Sequence, residues 1–240
     1  MLERRVPDRI ETPHPRFRRD RWPERLAGQT VTSVDAHGKH LFLRFENGLV
    51  IHSHLRMTGK WRVRDAATYE PPRNTWLVIR AADMLVAQIN GPVLELMTQS
   101  RTRFDQRIAG LGPDILAPAL DEAAILRRLR TDDPTRAIGD ALLDQRIIAG
   151  IGNMWKAEGC FEAGIDPWRR TGEVSDEEVL AIIHATRPRM QESARGGMQE
   201  RFKVVHGHAG EACPRCGGRI QARGQGDDNR TTYWCPGCQR

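Results

Sequence analysis

Four cysteines close the chain in two pairs, Cys213-Pro-Arg-Cys216 and Cys235-Pro-Gly-Cys238, with eighteen residues between the pairs. A C-x-x-C knuckle places two thiolates on one side of an ion, and two knuckles joined by a segment that folds back as a hairpin complete a tetrahedral zinc site. The alternative use of four thiols is a pair of disulfides, which belongs to oxidising compartments. The fifth cysteine, Cys160, stands alone in a helical stretch and reads as a small buried apolar side chain. Between the knuckles lies Asn229-Arg230-Thr231-Thr232. A hairpin pinned at its base by a metal would hold Arg230 at one place in space.

Charge narrows the use of such a device. The formal net charge is +6, and the cations are nearly all arginine; Lys39, Lys60, Lys156 and Lys203 are the lysines. A polyanionic partner is expected. Residues 201–240 carry seven Arg or Lys against three Asp or Glu. Four thiolates and a dication take two from that excess of four and leave the module about +2. Two readings stand: a phosphate-binding tip and a plain structural knuckle.

Four further groups invite chemistry, each beside a plainer reading. Gly150-Ile151-Gly152-Asn153 lies between two helical stretches. It is a helix-turn-helix corner with Asn153 as N-cap, or a helix N-terminus offering free N–H groups to a phosphate. His52 and His54 share one face of a strand, as ordinary strand histidines or as two ligands lacking an obvious third. Met57 stands where a strand runs into a glycine turn, as a core residue or as a wedge between bases. Lys39 follows Gly38 at a strand start, and a lone lysine is ordinarily a solvated charge.

The elements that must position these residues follow from pattern. Pro7, Pro13, Pro15 and Pro23 argue against a helix in residues 1–30. Leu41, Leu43 and Phe45 alternate with polar neighbours, Asn47-Gly48 makes a hairpin turn, and residues 75–89 read as a second hairpin. The first half is therefore an antiparallel β-sandwich. Helices are expected over 121–130, over 138–147 after a start signal at Asp133-Pro134, and over 153–164. A last helix opens at the Ser175/Glu178 capping box and ends at Gly196-Gly197. The fold class is α+β and multidomain: β-sandwich over 1–115, helical domain over 116–200, zinc hairpin over 204–240. No apolar run approaches the roughly 20 residues of a membrane span, and no secretory leader is expected.

Taken together, these residues resemble the formamidopyrimidine-DNA glycosylase and endonuclease VIII family of base-excision repair enzymes. The resemblance rests on Gly38-Lys39-His40-Leu41, His54-Leu55-Arg56-Met57, Asn90-Gly91-Pro92, Gly150-Ile151-Gly152-Asn153 with Glu158, and Asn229-Arg230-Thr231-Thr232 before Cys235. Short hairpin loops lean towards the endonuclease VIII branch. The resemblance implies a helix-two-turn-helix domain and a C-terminal zinc finger with one structural Zn²⁺ on Cys213, Cys216, Cys235 and Cys238. It implies flipping of an oxidised base from duplex DNA, glycosidic cleavage by an amine, and strand cutting by β- and δ-elimination. Lys39 and Arg230 would serve catalysis, Lys39 at the acid–base steps and Arg230 on the departing phosphate. Gly152, Asn153 and Arg230 would hold phosphates beside the lesion. Arg56, Met57 and Thr58 would fill the hole left by the base. A bacterial cytoplasmic, nucleoid-associated monomer acting on damaged duplex is expected.

One departure stands out. The family's nucleophile is an N-terminal proline followed by a glutamate, at the head of an opening helix, whereas this chain begins Met-Leu-Glu-Arg-Arg. Two expectations follow. Either an in-frame Met-Pro-Glu lies about 25 residues upstream (roughly the length of such a helix), or the protein is a catalytically impaired binder of damaged DNA. The 240-residue polypeptide is not expected to be trapped on abasic DNA by borohydride.

Overall fold

The computed structural model describes residues 2–17, 20–196 and 199–240, so Gly197, half of the expected helix end, lies outside the described residues. The chain divides into two compact units, Met1–Ala109 and Gly110–Arg240.

The first unit holds eight strands: β1 (Arg9–Glu11), β2 (Val31–His37), β3 (His40–Phe45), β4 (Leu49–His54), β5 (Lys60–Asp65), β6 (Thr75–Ala81), β7 (Met84–Ile89) and β8 (Val93–Thr98). They form two antiparallel sheets, ordered β1-β6-β7-β5 and β2-β3-β4-β8. Val31, Leu43, Phe45, Ile51 and Leu94 of one sheet pack with Leu77, Ile79 and Val86 of the other, which makes the expected sandwich. Leu2 is buried in the same core, and Arg4 and Arg5 exchange backbone hydrogen bonds with Val31.

The Asn47-Gly48 turn forms as expected. Gly48 takes φ 77°, and the Asn47 side chain accepts from the Leu49 N–H. The second hairpin turns on Ala82, whose φ of 54° is unusual for a residue with a Cβ. The expectation of no helix before residue 30 fails. Helix α1 (Trp22–Leu26) carries Pro23 within its first two positions, where a fixed φ suits the helix and no N–H is missed. Trp22 and Leu26 are fully buried. Short helices α2 (Gln99–Phe104) and α3 (Gln106–Ala109) follow β8, and Ile108 of α3 covers Phe42, Val50 and Met97 on the outer face of the second sheet.

The second unit contains α4 (Glu122–Arg130), α5 (Ile138–Ala141), α6 (Asn153–Ala163), α7 (Asp176–Gly196) and a two-stranded hairpin, β9 (Gln221–Gln225) with β10 (Arg230–Trp234). Both bonds of the Ser175/Glu178 capping box are made, at 2.8 and 3.3 Å. Helix α5 is far shorter than expected, and Asp133 does not start it. Asp133 accepts from the Thr135 N–H at 2.8 Å, and Asp144 accepts from the Arg146 N–H at 2.9 Å. These local side-chain bonds offer the backbone turns in place of helix. No helix of the described residues is long and apolar enough to cross a membrane.

Candidate nucleic-acid interface

The glycine corner is assembled by a residue the sequence reading passed over. Gln145 donates to the carbonyls of Leu143 at 2.7 Å and Ile151 at 3.0 Å, and its Oε1 accepts from the Gly150 N–H at 2.9 Å. Gly150 takes φ 108°, and Ile151 is fully buried beneath the loop. The expected cap is corrected by one position. Gly152 is the N-cap of α6, and Asn153 is the first helical residue. Its side chain is therefore free to reach across, and Asn153 Nδ2 donates to the Thr231 carbonyl of β10 at 2.6 Å.

That bond joins the glycine corner to the hairpin one residue from Arg230. The hairpin is drawn onto the helices by close approaches that glycine alone permits: a Cβ on Gly139 would lie 2.6 Å from Gln225 Oε1, and one on Gly226 would lie 2.2 Å from Asp140 Oδ1. Arg230 keeps 47 % of its side chain exposed, with Asp228 at 3.8 Å beside it. Glu158, fully buried on α6, accepts from the N–H groups of Val205 and His206 at 3.0 and 2.8 Å and so anchors the chain entering the cysteine module. Burial raises the pKa of its carboxyl.

The four cysteine sulfurs lie within 4.8 Å of one another, and among the described residues this is the group able to hold a metal. Cys213 and Cys238 sulfurs are 3.7 Å apart and those of Cys216 and Cys235 are 3.4 Å, both too long for disulfides. A tetrahedron with Zn–S bonds near 2.3 Å has edges of about 3.8 Å, so the sulfur spacing fits that ion. Behind the knuckles, Gln239 accepts from the Cys235 N–H at 2.7 Å and donates to the Ile165 carbonyl at 2.9 Å. Cys160 is fully buried, and burial pushes its thiol up to about 12, as suits a packing residue.

In the sandwich unit the register brings a second set together. His40 opens β3 opposite His54, which ends β4 opposite Val93 at the start of β8, while Lys60 opens β5 opposite Ile89 at the end of β7. The loops 55–59 and 90–92 therefore lie at one end of the sandwich, and the Thr58 hydroxyl donates to the Asn90 carbonyl at 3.5 Å. Arg56 takes φ 50°, a turn closed by the Gly59 N–H on the Leu55 carbonyl at 2.9 Å. Gly59 is required there, since a Cβ would sit 2.7 Å from that oxygen. The outcome is an apolar side chain in water: Met57 is 85 % exposed and belongs to no core cluster. Lys39 is exposed on the β2–β3 turn at the same end.

His52 and His54 join His40 rather than a metal group. His40 Nδ1 and His52 Nε2 share a proton at 2.8 Å, His52 Nδ1 faces Glu95 Oε2 at 3.3 Å, and Arg107 holds Glu95 through two bonds at 2.8 and 3.2 Å. Burial, then the neighbouring histidines, brings His40 down to about 4. Burial, then Arg56 and Lys39, does the same to His54. An exposed aromatic that the sequence reading did not single out is Phe104, 81 % exposed at the end of α2 near Arg101 and Arg103. An aromatic flanked by arginines is a signal for base stacking.

Residues 2–101 match the formamidopyrimidine-DNA glycosylase N-terminal domain, and residues 111–203 match the H2TH domain of the same enzymes. A probable endonuclease 8 of Streptomyces coelicolor is 40% identical over 227 residues, 89% of this chain and 80% of that protein. A DNA-(apurinic or apyrimidinic site) lyase of Mycolicibacterium smegmatis is 36% identical over 89% of this chain and 84% of its own length. The solved structure of the Lactococcus lactis formamidopyrimidine-DNA glycosylase, bound non-covalently to DNA containing an abasic site, superposes with a TM-score of 0.84 at 25% identity, covering 99% of this chain and 93% of that one. By sequence and by fold, the chain belongs to the formamidopyrimidine-DNA glycosylase and endonuclease 8 family.

Proposed function

We propose that this protein is a base-excision repair DNA glycosylase with abasic-site lyase activity, acting on oxidised bases in duplex DNA. The observation that carries the reading is the Asn153–Thr231 bond, which makes the glycine corner and the Arg230 hairpin a single rigid grip. Gly152 and Asn153 offer the N–H groups and amide of the α6 terminus to one phosphate, and Arg230 takes an adjacent one. One Zn²⁺ on Cys213, Cys216, Cys235 and Cys238 braces the hairpin base and takes no part in bond breaking.

In the sandwich unit, Met57 enters the stack in place of the extruded nucleotide, with Arg56 and Thr58 beside it. A wedge of this kind replaces base stacking that flipping forfeits, a matter of a few kcal/mol. Phe104 supplies a second stacking face. Lys39 contacts phosphate and assists the proton transfers of elimination, while Arg230 stabilises the charge that grows on the departing phosphate. The relatives' names and the basic charge support a protein working on nucleoid DNA in the bacterial cytoplasm.

The test is discrimination. The protein binds duplex carrying a tetrahydrofuran abasic analogue at least tenfold more tightly than the intact duplex, about one mismatch's worth of specificity. Equal affinity for the two duplexes refutes both this reading and that of a catalytically impaired binder, and release of an oxidised base with cutting of its strand separates the enzyme from the binder.

A further inference from the structure

Among the described residues Lys156 is the one buried lysine, and no role above absorbs it. It is fully buried on α6, one helical turn after Asn153 and on the same face. Its Nζ donates to the Thr232 hydroxyl and, at 3.2 Å, to Gln225 Oε1. The Thr232 hydroxyl donates in turn to Gln225 Oε1 at 2.7 Å, and Gln225 Nε2 donates to the Pro167 carbonyl at 2.8 Å. Thr232 and Arg230 are two apart on β10 and so project from one face of that strand.

A buried ammonium group ordinarily requires a carboxylate. The charged and titratable groups that face this one are Asp140, Cys160 and Arg230. Asp140 is already engaged by Arg136 at 2.7 Å, Cys160 is a neutral thiol, and Arg230 adds repulsion. The ammonium group of Lys156 is thus bonded to a hydroxyl and an amide, and the nearby Asp140, bonded to Arg136, makes no hydrogen bond to it. An apolar side chain of the same length would fill the volume without the cost of burying a charge. The arrangement makes sense if a further anion arrives from outside, at Asn153 and Arg230.

We propose that Lys156 is a positioning residue for phosphate binding: its buried ammonium group locks the first turn of α6 to strand β10 and lays a fixed positive charge behind Asn153 and Arg230. The proposal rests on the reading of the site above as a DNA phosphate grip.

A pH signature separates this role from packing. Burial lowers the pKa of Lys156 to about 8. A phosphate bound nearby favours the charged form and raises that value, so binding takes up a proton. Affinity is then full below about 8 and declines as pH rises through the higher value of the complex. A rise of one unit corresponds to about a tenfold loss of affinity.

The experiment titrates the zinc-loaded 240-residue chain with tetrahydrofuran-containing duplex from pH 7 to pH 9.5. Lys156→Met and Lys156→Arg run in parallel, and calorimetry at pH 8.5 in two buffers of different ionisation enthalpy counts protons. Wild-type protein loses about tenfold in affinity and takes up a fraction of a proton. Lys156→Arg binds with a flat profile, because a guanidinium stays charged throughout. Lys156→Met binds about tenfold more weakly at pH 7, takes up no proton and retains its zinc. A flat wild-type profile, or proton uptake undiminished in Lys156→Met, overturns the proposal while the grip itself stands. A wild-type chain that does not prefer the abasic duplex at any pH overturns the grip and the proposal together.

Discussion

Replacing Arg230 by Ala tests the grip at its most exposed point. The side chain is 47 % exposed, and its ion-pair partner is Asp228, at 3.8 Å and itself 83 % exposed. A surface pair of that kind is worth at most about 1 kcal/mol, so the substitution leaves folding and metal content intact. Its effect falls on DNA. A side chain that neutralises one phosphate contributes about 0.9 to the slope of log affinity against log salt. Arg230→Ala therefore lowers the slope by about 0.9. Between 50 and 200 mM salt, a fourfold change, the gap between variant and wild type narrows by about 3.5-fold. Fluorescence anisotropy with an abasic-analogue duplex at four salt concentrations measures this directly. The effect is the same on any flanking sequence, because phosphates carry none. Asp228→Asn acts in the opposite direction, since Arg230 then leaves no partner behind. An unchanged slope in Arg230→Ala, with the hairpin folded, refutes the assignment of this residue to the DNA backbone.

Three further outcomes follow from the structure. Cys235→Ser, or removal of zinc by a chelator, weakens binding to duplex DNA while the sandwich unit keeps its own unfolding transition; preserved binding shows that the metal does not hold Arg230 in place. Met57→Ala changes stability by less than about 0.5 kcal/mol, as for any exposed side chain, yet weakens binding to abasic duplex far more than to intact duplex in a competition assay. His40 and His54 are held neutral in the folded protein, with both values brought down to about 4 from 6.5. The unfolded chain binds those protons first, so the stability of the sandwich declines as pH falls from about 6.5 to about 4. Urea unfolding across that range checks it, and His40→Phe flattens the dependence.

Much of this protein is legible because its signals are local. Asn47-Gly48, the Ser175/Glu178 capping box and the two C-x-x-C knuckles each specify a geometry within a few residues, and each appears as the residues require. The local reading fails where a side chain answers to a distant partner. Asn153 is a sound N-cap by type, yet Gly152 caps the helix and Asn153 reaches Thr231, seventy-eight positions away. Residues 142–147 carry helical periodicity, but the side chains of Asp144 and Gln145 draw the backbone into the turn that builds the glycine corner. Pro23 reads as a helix breaker and instead starts one, because Trp22 and Leu26 have a core to enter.

The thiol spacing, the hairpin turns, the surplus of arginine and the family are all readable along the unfolded chain. All of these depend on residue type and on short separations along the chain. It took the folded chain to bury Lys156 behind Asn153 and beside the hairpin, to turn Met57 into water, and to set His40 and His52 in a proton-sharing pair that leads to Glu95. Burial and long-range pairing set those outcomes, and neither is a property of any local stretch of sequence.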